Sequence, residues 1–159
     1  MNRVENNRTL HLVDIENALG RPVATADEVR AFWRAYREFA VGVGEHDHVV
    51  VASSSIMAKV AWFALPQAGI QRRVKDGKDG ADHALLASVD LDRDAARFSR
   101  LVITSGDHIF APLARDARAA GMRVHQVIGN GTPSRELLNA CPTRTWLRPA
   151  AHRALRDRY

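Results

Sequence analysis

A single cysteine, Cys141, stands among the 159 residues. Its isolation excludes an intramolecular disulfide and a cysteine-rich zinc site, so any bound metal must be held by oxygen or histidine. Scarce thiols also fit a reducing, cytoplasmic setting. No apolar run approaches the roughly 20 residues that cross a bilayer, so no membrane partner is expected. The opening residues, Met1 to Arg8, are polar and lack the apolar centre of a signal peptide. Internal repeats and low-complexity linkers are missing, as are a phosphate-binding P-loop and a dinucleotide fingerprint. Ser53-Ser54-Ser55 lacks the nucleophile-elbow pattern. One domain over residues 1–159 is therefore expected, long enough to bury a real core.

Acidic residues are in the minority. Lys and Arg number 23 against 18 Asp and Glu, giving a net charge of +5 and a sequence pI near 10.1. Arg heavily outnumbers Lys, and its guanidinium suits bidentate phosphate recognition. This balance favours a nucleic-acid partner, although GC-biased coding leaves the same Ala and Arg abundance.

Apolar runs alternate with helical periodicity along most of the chain. Strands are expected at Leu10–Asp14, His48–Ala52, Ile70–Lys75, Leu101–Thr104 and Val124–Ile128, several rich in Val and Ile as in strands buried on both faces. Between them, Val29, Phe32, Trp33, Tyr36 and Phe39 recur at helical spacing, as do Ile56, Val60 and Phe63. Thr25 and Asp27 are candidate caps of the first of these helices, and Ser53 to Ser55 of the second. Such repetition implies right-handed crossovers and an α/β, three-layer, Rossmann-like domain with a mainly parallel sheet of about five strands. Its core covers about residues 9–130. Beyond it come a short helix at Ser134–Ala140, a candidate edge strand at Thr143–Leu147 and a basic terminal helix at Ala150–Arg158.

Three acidic blocks stand where apolar strands stop or a helix opens. They are Leu12-Val13-Asp14-Ile15-Glu16-Asn17, Lys78-Asp79-Gly80-Ala81-Asp82, and Ile103-Thr104-Ser105-Gly106-Asp107. Parallel sheets place ligand sites beyond the carboxyl ends of their strands, which would gather Asp14, Asp82 and Asp107 on one rim. Two carboxylates about 5 Å apart repel by roughly 3 kcal/mol at an effective dielectric near 20. Three would raise one another's pKa or recruit a hard cation, and oxygen-only ligands select Mg²⁺ or Mn²⁺. Each Asp taken alone reads more readily as a helix cap, and it is their joint occurrence on one rim that points to a site.

The ordered blocks resemble the NYN domain, part of the PIN-like ribonuclease superfamily that includes LabA-type bacterial proteins. Asp14-Ile15-Glu16-Asn17 is similar to that family's Asp-x-x-Asn opening, and Lys78 to Asp82 followed by His83-Ala84-Leu85 to its second block. Ser105-Gly106-Asp107-His108-Ile109-Phe110-Ala111-Pro112-Leu113 resembles its Ser-Gly-Asp-x-Asp-Phe-x-Pro-Leu segment. The resemblance implies a PIN-like sheet and a divalent metal held by Asp14, Asp82 and Asp107. It also implies an endoribonuclease that hydrolyses RNA phosphodiester bonds with metal-activated water. Asn17 would position water or substrate, and Ser105 would support the third carboxylate or touch phosphate. Ile109 stands where the family has a second acid, with Asp79, Glu16 and Asp90 as candidate substitutes. The departure motivates an alternative: a catalytically weakened domain that binds RNA or a protein partner, a second copy of the chain included. A receiver-like or phosphohydrolase domain shares the acidic rim, but the receiver's paired acids and strand-terminal Lys are not visible.

Arg72, Arg73, Lys75 and Lys78 precede Asp82 and form a candidate collar for an RNA backbone, or equally a solvated strand end. His108, next to Asp107, is the one histidine near enough to consider as a base or ligand, but a helix beginning at Asp107 can point its side chain away. Trp33, Trp62 and Trp146 fit apolar patterns and read as core or interface. Arg144, Arg148, His152, Arg153, Arg156 and Arg158 make a second basic element.

Overall fold

A computed structural model of the chain describes residues 6–147. The basic helix expected at Ala150–Arg158 lies outside the described residues. Six parallel strands form one sheet in the order β3-β2-β1-β4-β5-β6. They are β1 (Thr9–Asp14), β2 (His48–Ser53), β3 (Ile70–Val74), β4 (Arg100–Thr104), β5 (Arg123–Ile128) and β6 (Thr143–Trp146). The count is therefore six rather than about five. The sixth is the candidate edge segment, which pairs with β5 in the register Gln126↔Arg144. Its short and largely exposed sequence carries little of the apolar signal by which buried strands are recognised.

Period-two alternation sorts the strand residues between two helical layers. Leu10, Leu12, Val50, Ala52, Leu101 and Ile103 pack towards α4 (Gly80–Ala87), α5 (Leu91–Arg97), α6 (Ala111–Ala119) and α7 (Arg135–Ala140). Val13, Val49, Val51 and Val102 face α1 (Ile15–Leu19), α2 (Ala26–Phe39) and α3 (Ser55–Ala64). Asp14 shares the parity of Leu10 and Leu12, so the strand's own pleat aims it at the α4 side.

Helix α2 begins with a full capping box: Thr25 accepts from the Glu28 amide, and the Glu28 side chain returns to the Thr25 amide. Its Val29, Phe32, Trp33 and Tyr36 are buried as their spacing predicts, whereas Phe39 is exposed. Ser54 caps α3, but the buried side of that helix is Met57, Ala58 and Ala61. Ile56 and Phe63 face outward, Phe63 with 84% of its surface exposed. Helix α3 is apolar on nearly every side, so spacing alone could not tell which side would be buried.

A buried polar chain occupies the α2 side of the sheet. His11 lies between the Tyr36 hydroxyl at 2.5 Å and the Asp47 carboxylate at 2.9 Å. Asp47 also accepts from the amides of Thr9 and Gly44, joining the start of β1 to the loop before β2. These groups lie on the opposite face of β1 from Asp14 and belong to the scaffold.

Candidate metal centre and active site

The strand order reverses direction between β1 and β4, where the loops leaving the two strands diverge to opposite sides and open a crevice. Asp14 ends β1 on one wall of this crevice. It caps α1, its Oδ1 accepting from the Asn17 amide at 3.2 Å. On the other wall β4 runs out into Ser105-Gly106-Asp107. Ser105 is buried, and its hydroxyl accepts from the Asp107 amide at 3.1 Å. Its carbonyl accepts from the buried Gln126 amide group at 3.0 Å, bracing the loop from β5.

Asn17 ties the two walls together. Its side-chain oxygen accepts from the Gly106 amide at 2.8 Å across 89 residues of sequence. Gly106 fits because a side chain there would meet the Pro133 Cα at 2.8 Å and the Thr132 carbonyl at 3.1 Å. Asp107 caps a single 3-10 turn, His108–Phe110, accepting from the Ile109 amide at 2.9 Å. Its Oδ1 also lies 3.2 Å from His108 Nδ1, with the imidazole otherwise largely in solvent. Ile109 is half-buried and packs against the apolar layer.

Helix α4 delivers the remaining acids. A tight loop leads from β3 into the helix, and a Cβ on Gly80 would sit 2.5 Å from the Lys75 carbonyl. Asp82, in the first helical turn, is 5% exposed. Its Oδ1 is buried with no hydrogen-bond partner among the described residues. One oxygen each from Asp79, Asp82 and Asp107 lie within 4.8 Å of one another. Asp14 meets the same group through a hydrogen bond to Asp82.

These carboxyls are not independent. Burial pushes the Asp82 pKa well above the ordinary carboxylate range, and the Asp14 hydrogen bond and the Asp14 and Asp107 charges push it further. Asp14 is raised as well, first by burial and then by the charges of Glu16 and Asp107, against the opposing hydrogen bonds from Asp82 and the Asn17 amide. Two carboxyl groups can share a hydrogen bond only if one keeps its proton, and the upward shift of both Asp14 and Asp82 favours such a shared proton in the metal-free site. A divalent cation would replace it. The donor set is all oxygen, which fits Mg²⁺ or Mn²⁺, and the orphaned Asp82 oxygen is a ligand position that no protein donor fills.

The other named residues divide between site and scaffold. Glu16 accepts from the Ser54 amide at 2.6 Å, which joins α1 to the start of α3. Ser54 caps α3 and Ser55 donates to Asp76, so two of the three serines serve the loop and helix start. Asp90 caps α5. The Arg72 guanidinium donates to the carbonyls of Ile70, Leu65 and Pro66 and lies 5.5 Å over the Trp62 ring. Arg73, Lys75 and Lys78 are exposed. A cavity of about 750 Å³ lined by Arg30, Trp33, Arg34 and Arg37 lies by α2 and the end of α3, apart from the acids.

The NYN domain model matches residues 8–148, nearly the whole chain. The chain belongs to the NYN domain family. NYN domains share the PIN-like nuclease fold and are typically ribonucleases, and this chain carries a cluster of Asp residues. The chain is similar in fold to a crystal structure of a protein of unknown function from Vibrio parahaemolyticus. That match has a TM-score of 0.57 and 16% identity, covering 92% of this chain and 96% of the other. No curated protein matches the chain significantly. Among the described residues no helix is long and apolar enough to cross a membrane.

Proposed function

We propose that this NYN domain is a divalent-metal-dependent endoribonuclease that hydrolyses RNA phosphodiester bonds in the crevice between β1 and β4. The observation that carries the reading is the buried oxygen of Asp82, without a hydrogen-bond partner among the described residues, beside Asp107 in the acidic group and next to Asp14, whose charge raises its pKa. A Mg²⁺ or Mn²⁺ ion there would act as a Lewis acid, making water a better nucleophile and offsetting charge on the phosphate. Asp14, Asp82 and Asp107 hold the cation. Asn17 and Ser105 act behind them: one holds the Gly106 amide, the other the Asp107 amide, and together they fix where the third carboxylate stands. Arg73, Lys75 and Lys78 supply positive charge on the approach, where an anionic strand would otherwise be repelled by the acids. His108, against Asp107, is placed to exchange a proton with solvent.

Cleavage of a labelled RNA in Mn²⁺ or Mg²⁺ tests this assignment. Wild type should cut, and Asp14→Asn and Asp107→Asn should each lower the rate by about 100-fold or more, a loss of roughly 3 kcal/mol in transition-state stabilisation. Equal rates in all three proteins would remove the crevice as the source of cleavage. Ile109, an apolar residue packed against the core where the family has a second acid, favours a second reading, an RNA-binding or protein-binding domain with weakened catalysis. Salt-sensitive RNA binding without metal-dependent cleavage would select it.

A further inference from the structure

We infer that Asp79 is a further metal ligand of the crevice, supplying the carboxylate that position 109 does not. The inference rests on the metal-site reading above and concerns a residue that this reading does not require. Asp79 precedes α4 in the position of an N-cap, where an Asp ordinarily turns its carboxylate onto the helix amides. Here it makes no side-chain cap bond. Its backbone is left-handed, φ 56° and ψ 23°, and it is the one non-glycine residue with positive φ among the described residues. It forms no ion pair among them either. Its carboxylate instead approaches Asp82 and Asp107 within the 4.8 Å group.

A second observation, independent of that gathering, points to a ligand: the Asp82 oxygen has no donor although its side chain is buried. The three acids face one another around an acceptor that a cation shared with Asp79 would satisfy. Asp79 also reaches the site from the solvent side, whereas Asp82 and Asp14 are buried. It is therefore the carboxylate that closes the site over an entering ion.

Asp79→Asn tests the inference, because Asn tolerates left-handed backbone and removes only the charge. Mn²⁺ affinity would be measured by isothermal titration calorimetry and by the loss of the free-ion electron paramagnetic resonance signal, with no RNA present. Asp79→Asn should weaken Mn²⁺ binding by about tenfold or more, at least the effect of disturbing an outer-shell partner. Asp79→Gly, which suits the same backbone, should do likewise. Asp76→Asn removes an equal charge from the same loop, where Asp76 binds Ser55, and should leave the affinity within about twofold. Wild-type affinity in Asp79→Asn, with a loss in Asp82→Asn, overturns the role of Asp79 and leaves the metal site standing. Equal losses in Asp79→Asn and Asp76→Asn also overturn it, since general loop charge would then explain both. No Mn²⁺ binding by wild type removes the metal site and this inference with it.

Discussion

Asp82→Asn should stabilise the metal-free protein at neutral pH while abolishing tight metal binding. The carboxyl ordinarily titrates at 3.8, and in the folded chain burial and the neighbouring acids hold it protonated far above that value. The folded state therefore binds a proton that the unfolded chain releases. Unfolding free energy must then fall as pH rises, by about 1.4 kcal/mol per pH unit from near pH 4 upward until the folded carboxyl itself ionises. At pH 7 this amounts to about 4 kcal/mol. Ionising Asp82 instead would set it against Asp14 and Asp107, at roughly 3 kcal/mol for each pair about 5 Å apart, so that route offers no relief. An asparagine amide can donate to both neighbours without carrying a titrating proton. The variant should thus match wild type near pH 4 and exceed it by about 2–4 kcal/mol at pH 7. Urea unfolding with a chelator present, at half-unit steps from pH 4 to 8, would show converging curves in acid and diverging curves above. Saturating Mn²⁺ should reverse the order, because only wild type gains the binding free energy. Parallel pH profiles for the two metal-free proteins would refute the shared-proton reasoning.

Asn17→Ala should leave the buried Gly106 amide without its acceptor and lower stability by about 1–3 kcal/mol by urea unfolding, with cleavage falling further than stability accounts for. Arg72→Ala should destabilise by removing the hydrogen bonds to the carbonyls of Ile70, Leu65 and Pro66 and the stacking on Trp62, yet leave the salt dependence of RNA binding unchanged. Replacing Arg73, Lys75 and Lys78 together by Ala should instead reduce the slope of log affinity against log salt, by about 0.7 for each phosphate no longer neutralised. Filter-binding titrations at several salt concentrations separate these two outcomes.

The parallel sheet is legible in the sequence because β2 and β4 carry unbroken runs of Val, Leu and Ile, and β1 and β5 keep enough of them around a His or Gln to mark buried strands, whereas β3 carries only Ile70 and Val74. Strand β6 was harder to read because an exposed edge strand needs no apolar run. The acids were visible at strand ends, but their distances were not: which oxygens converge depends on the twist of the sheet and the loop before α4. Asp79 shows the difference. Its chemistry could be read from its letter, but the left-handed turn that brings it to Asp82 and Asp107 follows from the Gly77-Lys78-Asp79-Gly80 loop closing against Lys75. Arg72 shows the converse. Its charge suggested a phosphate collar, whereas the carbonyls at the end of α3 claim its donors. On α3, Ile56 and Phe63 marked an apolar face, but the smaller Met57, Ala58 and Ala61 allow the closer approach to the sheet.

The pairing of β1 with β4 also sets a timetable. Thr9 and Arg100 are neighbours in the sheet but 91 residues apart in the chain. At a synthesis rate of about 5–20 residues per second, β1 waits roughly 5–20 s for its second neighbour. During that interval one edge of the future central strand is open, and the crevice has only one wall. The tether from Asn17 to Gly106 cannot form until the loop after β4 is made. On the proposed reading, competence to bind metal would arrive late and at one step, so a nascent chain that stops short of β4 would carry Asp14 and Asp82 without Asp107.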